Sequence, residues 1–141
     1  MPLIPDRRSF TFIEIVVVIV IVGLLAALAL PQFTTVKERT LDKEAKANLL
    51  SIQEAEATYK MEKNSYYPSG ATTSVISDIN TNLKLGLPLN QAHWTYSLNN
   101  TVVGGEKATA ARVGAGGRSW TILFPPGSSD IPICAGTGCP S

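Results

Sequence analysis

Apolar residues are concentrated in one continuous run near the start of the chain. Between Ile15 and Leu30 no side chain is polar, and counted from Phe10 the apolar run is about 21 residues long. A helix of that length extends roughly 31 Å, which matches the hydrocarbon thickness of a bilayer. The pattern therefore predicts a membrane-spanning helix over residues 10–31, with Glu14 as its one charged residue.

From residue 32 to about Lys63 the pattern becomes amphipathic, with apolar side chains three or four positions apart. That spacing places them on one helical face. Acids stand four residues before bases at Asp42–Lys46 and Glu56–Lys60, which predicts that the other faces are wet or lightly packed. With no stop signal except Pro31 before the turn residues that follow Lys63, one helix of about 50 residues is expected. The apolar face consists of Leu41, Ala45, Leu49, Ile52, Ala55 and Tyr59.

Beyond a connecting region at residues 68–92, which could hold one short helix, the apolar positions alternate with a period of two. Glycine-rich turns separate the alternating segments, so they predict an antiparallel meander of three or four strands. The amphipathic helix offers the apolar face that such a sheet needs, and the fold class is α+β: a long N-terminal α-helix packed on a small antiparallel β-sheet. After Phe124 an irregular tail is expected. The inward-facing strand residues are Trp94, Tyr96 and Leu98, then Ala108 and Ala110 with Arg112 as a further candidate, then Trp120, Ile122 and Phe124.

The position of Glu14 needs a reason, because a carboxylate facing lipid costs on the order of 2.5 to 3.5 kcal/mol. One explanation is that Glu14 lies close enough to the membrane edge to reach water. The other starts from residues 1–9, a short leader whose Arg7 and Arg8 hold it on the cytoplasmic side.

The leader, Phe10, Glu14 four residues later, and the aliphatic run with Gly23 and Pro31 together resemble the class III signal of type IV pilins and pseudopilins. The resemblance implies that a prepilin peptidase cuts between Ser9 and Phe10 and methylates the new amino group of Phe10. Ser9 departs from the family pattern, in which glycine normally precedes the cut. The chain is then divided into a leader (1–9), a transmembrane and filament-core helix (10–31) and an exported pilin domain (32–141).

The resemblance also implies a function: a structural subunit that polymerises into a helical filament through its N-terminal helix. Phe10, Glu14, Gly23 and Pro31 are the expected assembly residues. In the filament core, Glu14 would pair with the amino terminus of Phe10 in a neighbouring subunit, and the segment from Gly23 to Pro31 would unwind when the subunit leaves lipid.

The partners implied are identical subunits, the prepilin peptidase, and the assembly platform with its ATPase. The chain would begin as a single-pass precursor in the bacterial inner membrane and end in a filament on the cell surface or in the periplasm. Alternative functions are a pseudopilin of a type II secretion system, a minor pilin that binds DNA or a surface, and a plain membrane-anchored periplasmic domain. Whether the fibre serves motility, adhesion, DNA uptake or secretion is left open.

The two cysteines, Cys134 and Cys139, are read as a disulfide, because an exported domain is in an oxidising compartment. No His, Asp or Glu stands near them to complete a tetrahedral metal site. In type IV pilins, a C-terminal disulfide of this kind holds the tail against the sheet. A calcium site would need several oxygen ligands, of which the tail offers only Asp130 and hydroxyls, so neither a metal nor a cofactor is expected.

Composition and the remaining side chains argue against an enzyme. The chain has 12 basic and 11 acidic residues, a net charge of +1, which gives no reason to expect nucleic-acid binding. His93 has no partner that would make it a general base, and the strand aromatics are expected to be core residues and not a ligand platform. A weak basic patch of Lys107, Arg112 and Arg118 is the one candidate for a DNA contact.

Overall fold

In the computed structural model, residues 10–101, 106–114, 117–124 and 131–140 are described, with the backbone alone at residues 29–32. The first element is a 52-residue helix, α1 (Phe12–Lys63), which confirms the single long helix predicted from the sequence. The chain divides into two compact units, residues 1–40 and 41–141, and α1 contributes residues to both.

The first unit contains the apolar part of α1. By length and composition, this helix is able to cross a membrane. Its backbone is helical through position 31, so neither Gly23 nor Pro31 interrupts it.

The second unit is built on the C-terminal half of α1 and a five-stranded antiparallel sheet. The strands lie side by side in chain order, so the sheet is the predicted meander, and one short helix precedes the second strand. The described residues form five strands where three or four were expected. The elements are β1 (Thr72–Thr73), α2 (Ile76–Leu83), β2 (Trp94–Asn99), β3 (Lys107–Arg112), β4 (Ser119–Leu123) and β5 (Ile133–Ala135).

The core of this unit confirms the helical face and the strand alternation. Leu41, Ala45, Leu49 and Ile52 of α1 are buried, and Ala55 and Tyr59 pack against the same cluster. The expected inward-facing aromatics are buried with them, since Trp94, Tyr96, Trp120 and Phe124 are each at most 5% exposed. Helix α2 adds Ile76, Ile79 and Leu83 to the core.

The prediction of an irregular tail was wrong for residues 133–135. They form β5, which pairs with β4 so that Cys134 lies opposite Trp120. A three-residue strand is too short to show a clear alternation of apolar residues, and this one is flanked by a proline and a glycine. Its pairing is therefore set by the neighbouring strand and not by its own sequence pattern.

A second correction concerns the faces of α1 that were expected to be wet. Asp42 and Glu56 are buried, at 7% and 0% exposure. The bases expected to pair with them lie on aromatic rings: the ammonium of Lys46 is 4.0 Å from the ring centre of Trp120, and that of Lys60 is 4.1 Å from the ring centre of Tyr66. The prediction of surface pairing was thus wrong, because the i,i+4 spacing contains no information about what packs over the helix.

Candidate functional site

The first turn of α1 carries the predicted assembly residues, and its geometry gives Glu14 a local role. The backbone N–H of Glu14 donates to the hydroxyl oxygen of Thr11 at 3.3 Å and to the Thr11 carbonyl at 3.1 Å. Thr11 is therefore the N-cap residue, and Glu14 stands at the third helical position, as in the Thr-x-x-Glu capping pattern. This cap was not predicted from the sequence, although the spacing of Thr11 and Glu14 is typical of one. An acid in the first turn also interacts favourably with the helix dipole, by about 0.3 to 1 kcal/mol.

The N-terminal part of α1 has a surface that none of the described residues covers. Phe10 is 77% exposed, Phe12 86% and Leu28 73%. Glu14 is exposed among these apolar side chains. Soluble proteins rarely leave apolar patches of more than a few hundred Å² in water. This helix therefore requires lipid or other protein chains around it.

Within the described part of the chain, Gly23 has no packing partner that would explain a glycine. A Cβ built at this position meets nothing within 4 Å among the described residues. Glycine costs a helix about 1 kcal/mol relative to alanine, so it weakens the helix without a compensating contact in the single chain. Whether the segment from Gly23 to Pro31 unwinds stays a prediction. Ser9 and the rest of the leader lie outside the described residues, so the cleavage site has no structural description.

The predicted disulfide is present. Cys134 and Cys139 are bonded, with their Cα atoms 5.8 Å apart, and the bond closes a loop that follows directly from β5. That loop is tied to the sheet, because Arg118 Nη1 donates to the Gly138 carbonyl at 2.9 Å.

The same arginine connects the disulfide loop to α1. Arg118 Nη2 lies 3.1 Å from Asp42 Oδ1, and this oxygen also accepts a hydrogen bond from Trp120 Nε1 at 3.1 Å. Both charged side chains are 10% exposed. Asp42 is thus paired with one cationic donor, the Arg118 guanidinium, and one neutral donor, the Trp120 indole N–H. These contacts fix the register of α1 against β4 and, through Arg118, against the C-terminal loop.

The predicted basic patch is not formed. Arg118 is 8% exposed and engaged with Asp42. Arg112 donates to the His93 carbonyl at 2.9 Å and stacks on Trp94, and Lys107 is at the opposite end of β3. Arg112 and Arg118 are thus engaged at the sheet end and in the interior, so within the described part of the chain these three cations do not form the exposed cluster that a phosphate contact would need.

A second buried acid, Glu56, is bonded to the segment that follows α1. Its Oε2 accepts from the backbone N–H of Tyr67 at 2.9 Å. Asn100, from the residues after β2, donates its side-chain N–H to the carbonyl of the same Tyr67. Burial raises the pKa of Glu56 from 4.5 to about 7; the Tyr67 N–H and the Asn100 amide oppose this, and the charge of Glu106 adds to it. The sequence predicted Glu56 only as part of an i,i+4 pair on the helix, and it did not predict the contacts with Tyr67 and Asn100.

Within residues 10–101, 106–114, 117–124 and 131–140, no group of three or more His, Cys, Asp or Glu side chains could hold an ion.

Comparison with known proteins points to the N-terminal segment. Residues 4–30 match the family model described as the prokaryotic N-terminal methylation motif. Over 62 residues the chain is 40% identical to the type IV major pilin protein PilA of Myxococcus xanthus, which covers 44% of this chain and 28% of that protein. Over 60 residues it is 40% identical to the type II secretion system core protein G of Pectobacterium carotovorum, covering 43% and 38% of the two chains.

A longer and weaker match extends into the second unit. The type IV wide pilus major component PilA4 of Thermus thermophilus is 28% identical over 93 residues, which cover 66% of this chain and 64% of that protein. The chain therefore spans less than two fifths of the first two relatives and somewhat under two thirds of the third. No solved structure matches the chain significantly.

Proposed function

We propose that this chain, whose N-terminal helix belongs to the type IV pilin and pseudopilin family, is a structural subunit that polymerises into a helical filament. The observation that carries the proposal is the uncovered apolar surface of α1, with Phe12 86% exposed, in the segment that matches the methylation motif. Lipid can cover this surface in the precursor, and identical helices cover it in the filament. Head-to-tail contacts that do not close into a ring generate such a filament.

Glu14 has a specific role in this mechanism. After cleavage, the amino group of Phe10 in a neighbouring subunit is the positive charge that pairs with the Glu14 carboxylate in the dry filament core. The pair sets the axial register between subunits, which is why cleavage must precede assembly. The N-cap supports the proposal, because it fixes the backbone of Glu14 one turn from the new terminus.

The partners and the location belong to the same proposal. A prepilin peptidase processes the precursor at the inner membrane, and an assembly platform with its ATPase extracts it into a filament on the surface or in the periplasm. We expect no enzymatic activity of the chain itself.

The experiment compares filaments from wild type with those from Glu14→Ala and Glu14→Leu variants. Membrane fractionation is expected to show normal insertion of all three, while electron microscopy and shearing show few or no filaments from the variants. Glu14→Asp is expected to retain part of the wild-type yield, since it keeps the charge but loses reach. Glu44→Ala, an exposed acid in the same helix, is the control. Wild-type filament yield from Glu14→Leu would refute the role of the charge.

A pseudopilin of a type II secretion system is the second candidate, favoured by the similarity to core protein G. The two are distinguished by deleting the gene. Loss of surface fibres with normal protein export indicates a pilin, and loss of export without loss of surface fibres indicates a pseudopilin.

A further inference from the structure

The disulfide loop contacts Arg118 beyond the paired residues of the sheet. The pairing of β4 with β5 runs as far as Ser119 opposite Ala135, and the loop closed by Cys139 lies past that point. In this loop the Gly138 carbonyl accepts a hydrogen bond from Arg118 Nη1 at 2.9 Å. The contact is therefore made by the loop itself and not by the strand pairing.

Two glycines make this loop costly to order without a cross-link. Gly136 and Gly138 have φ angles of +101° and +85°, in the region that other residues rarely adopt. Glycine also loses more conformational freedom on folding than any other residue. The bond between Cys134 and Cys139 removes part of that freedom in the unfolded chain, because it closes a short ring around both glycines. The position of the Gly138 carbonyl thus depends on the disulfide.

The guanidinium of Arg118 is at the same time one half of the buried ion pair with Asp42. Arg118 Nη2 lies 3.1 Å from Asp42 Oδ1, and each side chain is 10% exposed. Such a pair is stable only when the remaining hydrogen-bonding groups are also satisfied, because both charges have lost their hydration. Gly138 supplies an acceptor to Nη1. If the loop moved away, this acceptor would be lost and water would reach the pair, and water weakens the attraction between the two charges.

We propose that the disulfide loop is an oxidation-dependent clamp on the Arg118–Asp42 pair, and through the pair on the contact of α1 with β4. When the cysteines are bonded, Gly138 holds the guanidinium against Asp42. When a dithiol reduces the disulfide, the sulfur–sulfur bond breaks and both cysteines become thiols, while the dithiol gives up two electrons and two protons and becomes a disulfide. The loop then leaves Arg118, and the link between helix and sheet weakens.

The clamp makes the contact of α1 with β4 depend on the redox compartment. Disulfides persist in oxidising compartments and are rare where thiols are kept reduced. The link is therefore complete only after the chain has reached an oxidising environment. This inference concerns the second unit alone, so it holds or fails independently of the filament proposal.

A disulfide can also stabilise a protein without any clamp. In the chain-entropy model the cross-link acts on the unfolded chain, and that effect does not depend on Asp42. The two explanations therefore differ in one measurable quantity. Under the clamp, loss of the disulfide costs less stability when Asp42 is already absent, whereas under chain entropy alone the cost is the same.

The test is a double-mutant cycle on the full chain in detergent micelles, with urea unfolding followed by tryptophan fluorescence. It compares wild type, Cys134→Ser/Cys139→Ser, Asp42→Ala, and the chain with all three substitutions. The cysteine substitutions are expected to raise the unfolding equilibrium constant by a factor that is about fivefold or more larger in wild type than in the Asp42→Ala background.

The matched control is the same cycle with Glu44→Ala, which removes an exposed acid on α1. There the two factors are expected to agree within about twofold, as for independent sites. Agreement within about twofold in the Asp42 cycle as well would overturn the clamp.

A second measurement does not need the triple variant to fold. The indole N–H of Trp120 donates to Asp42 Oδ1 at 3.1 Å, and its nuclear magnetic resonance signal is recorded before and after reduction with dithiothreitol. Because Trp120 also lies opposite Cys134, reduction causes a local displacement of this signal both in wild type and in Asp42→Ala. The clamp adds a further displacement in wild type, toward the position of the signal in Asp42→Ala. Equal displacements in the two chains would contradict the clamp.

Discussion

Arg118 and Asp42 form an ion pair of 3.1 Å in the interior of the second unit, with each side chain 10% exposed. They connect α1 to the start of β4, and Arg118 extends the connection to the Gly138 carbonyl in the disulfide loop. A buried pair of this kind contributes less net stability than its Coulomb energy suggests, because both charges lose their hydration. The pair instead fixes the relative position of α1 and β4, because any arrangement that separated the two side chains would leave an uncompensated buried charge.

Asp42→Ala is therefore expected to destabilise the second unit by about 3 kcal/mol, because the guanidinium of Arg118 and the indole N–H of Trp120 both lose their acceptor. Urea unfolding of the full chain in detergent, followed by tryptophan fluorescence, measures this change. Glu44→Ala, an exposed acid on the same helix, is expected to change stability by less than about 0.5 kcal/mol. Equal effects of the two substitutions would show that the pair carries no positional role.

Gly136 is expected to tolerate no side chain. It has φ +101°, and a Cβ there would lie 2.2 Å from the Gly117 carbonyl oxygen, which is backbone and unable to turn aside. Gly136→Ala should therefore cost about 2 kcal/mol or more, by strain and by displacement of the disulfide loop. Gly70→Ala is the matched control: its φ is also positive, at +66°, but the Cβ would enter open space among the described residues, so about 1 kcal/mol is expected. The same unfolding assay ranks the two variants, and an equal cost would contradict the clash.

Much of this fold could be predicted from the periodicity of its apolar residues, because a helix or strand that packs against one partner buries side chains at a regular spacing. The spacing of Leu41, Ala45 and Leu49 and the alternation of Trp94 and Tyr96 both indicated the correct inward faces. The disulfide between the two cysteines was predicted for a different reason. An exported domain lies in an oxidising compartment, and no further ligands stand near the cysteines to complete a metal site.

The buried polar contacts could not be predicted in this way. Asp42 and Glu56 each lie four positions before a base on α1. Only the folded structure shows that Arg118 and Asn100, more than 40 positions away along the chain, interact with them. The edge strand β5 escaped prediction because three residues are too few to show a period. The N-cap at Thr11 does have a sequence signal, the Thr-x-x-Glu spacing, but the surrounding apolar run is the stronger pattern in that segment and predicts a membrane span and not a cap.

Stability is expected to depend on pH through Glu56. Its pKa rises from 4.5 to about 7 on folding, so between these values the unfolded chain releases a proton that the folded chain keeps. The contribution to stability is complete below pH 4.5 and is lost as the pH rises through 7, by about 3 kcal/mol in total. Glu56→Gln should remove this component, so that the variant gains on wild type as the pH rises from 5 to 8. Unfolding midpoints of the two chains at several pH values measure the difference, and parallel pH profiles would contradict it.

Processing at Ser9 is the step on which the filament proposal depends first. A small residue before the cut leaves room for the peptidase, and glycine, the residue normally found there in the family that this segment resembles, should fit at least as well. Ser9→Gly is therefore expected to match or exceed the wild-type rate of conversion to the mature chain, while Ser9→Val, which adds a branched side chain at the cut, should accumulate precursor. Intact-mass spectrometry of the native protein separates the forms, because the proposed mature chain would begin at a methylated Phe10. Wild-type chains that retain Met1 or Pro2 in assembled filaments would show that the amino group of Phe10 is never freed, and the pairing proposed for Glu14 would then fail with it.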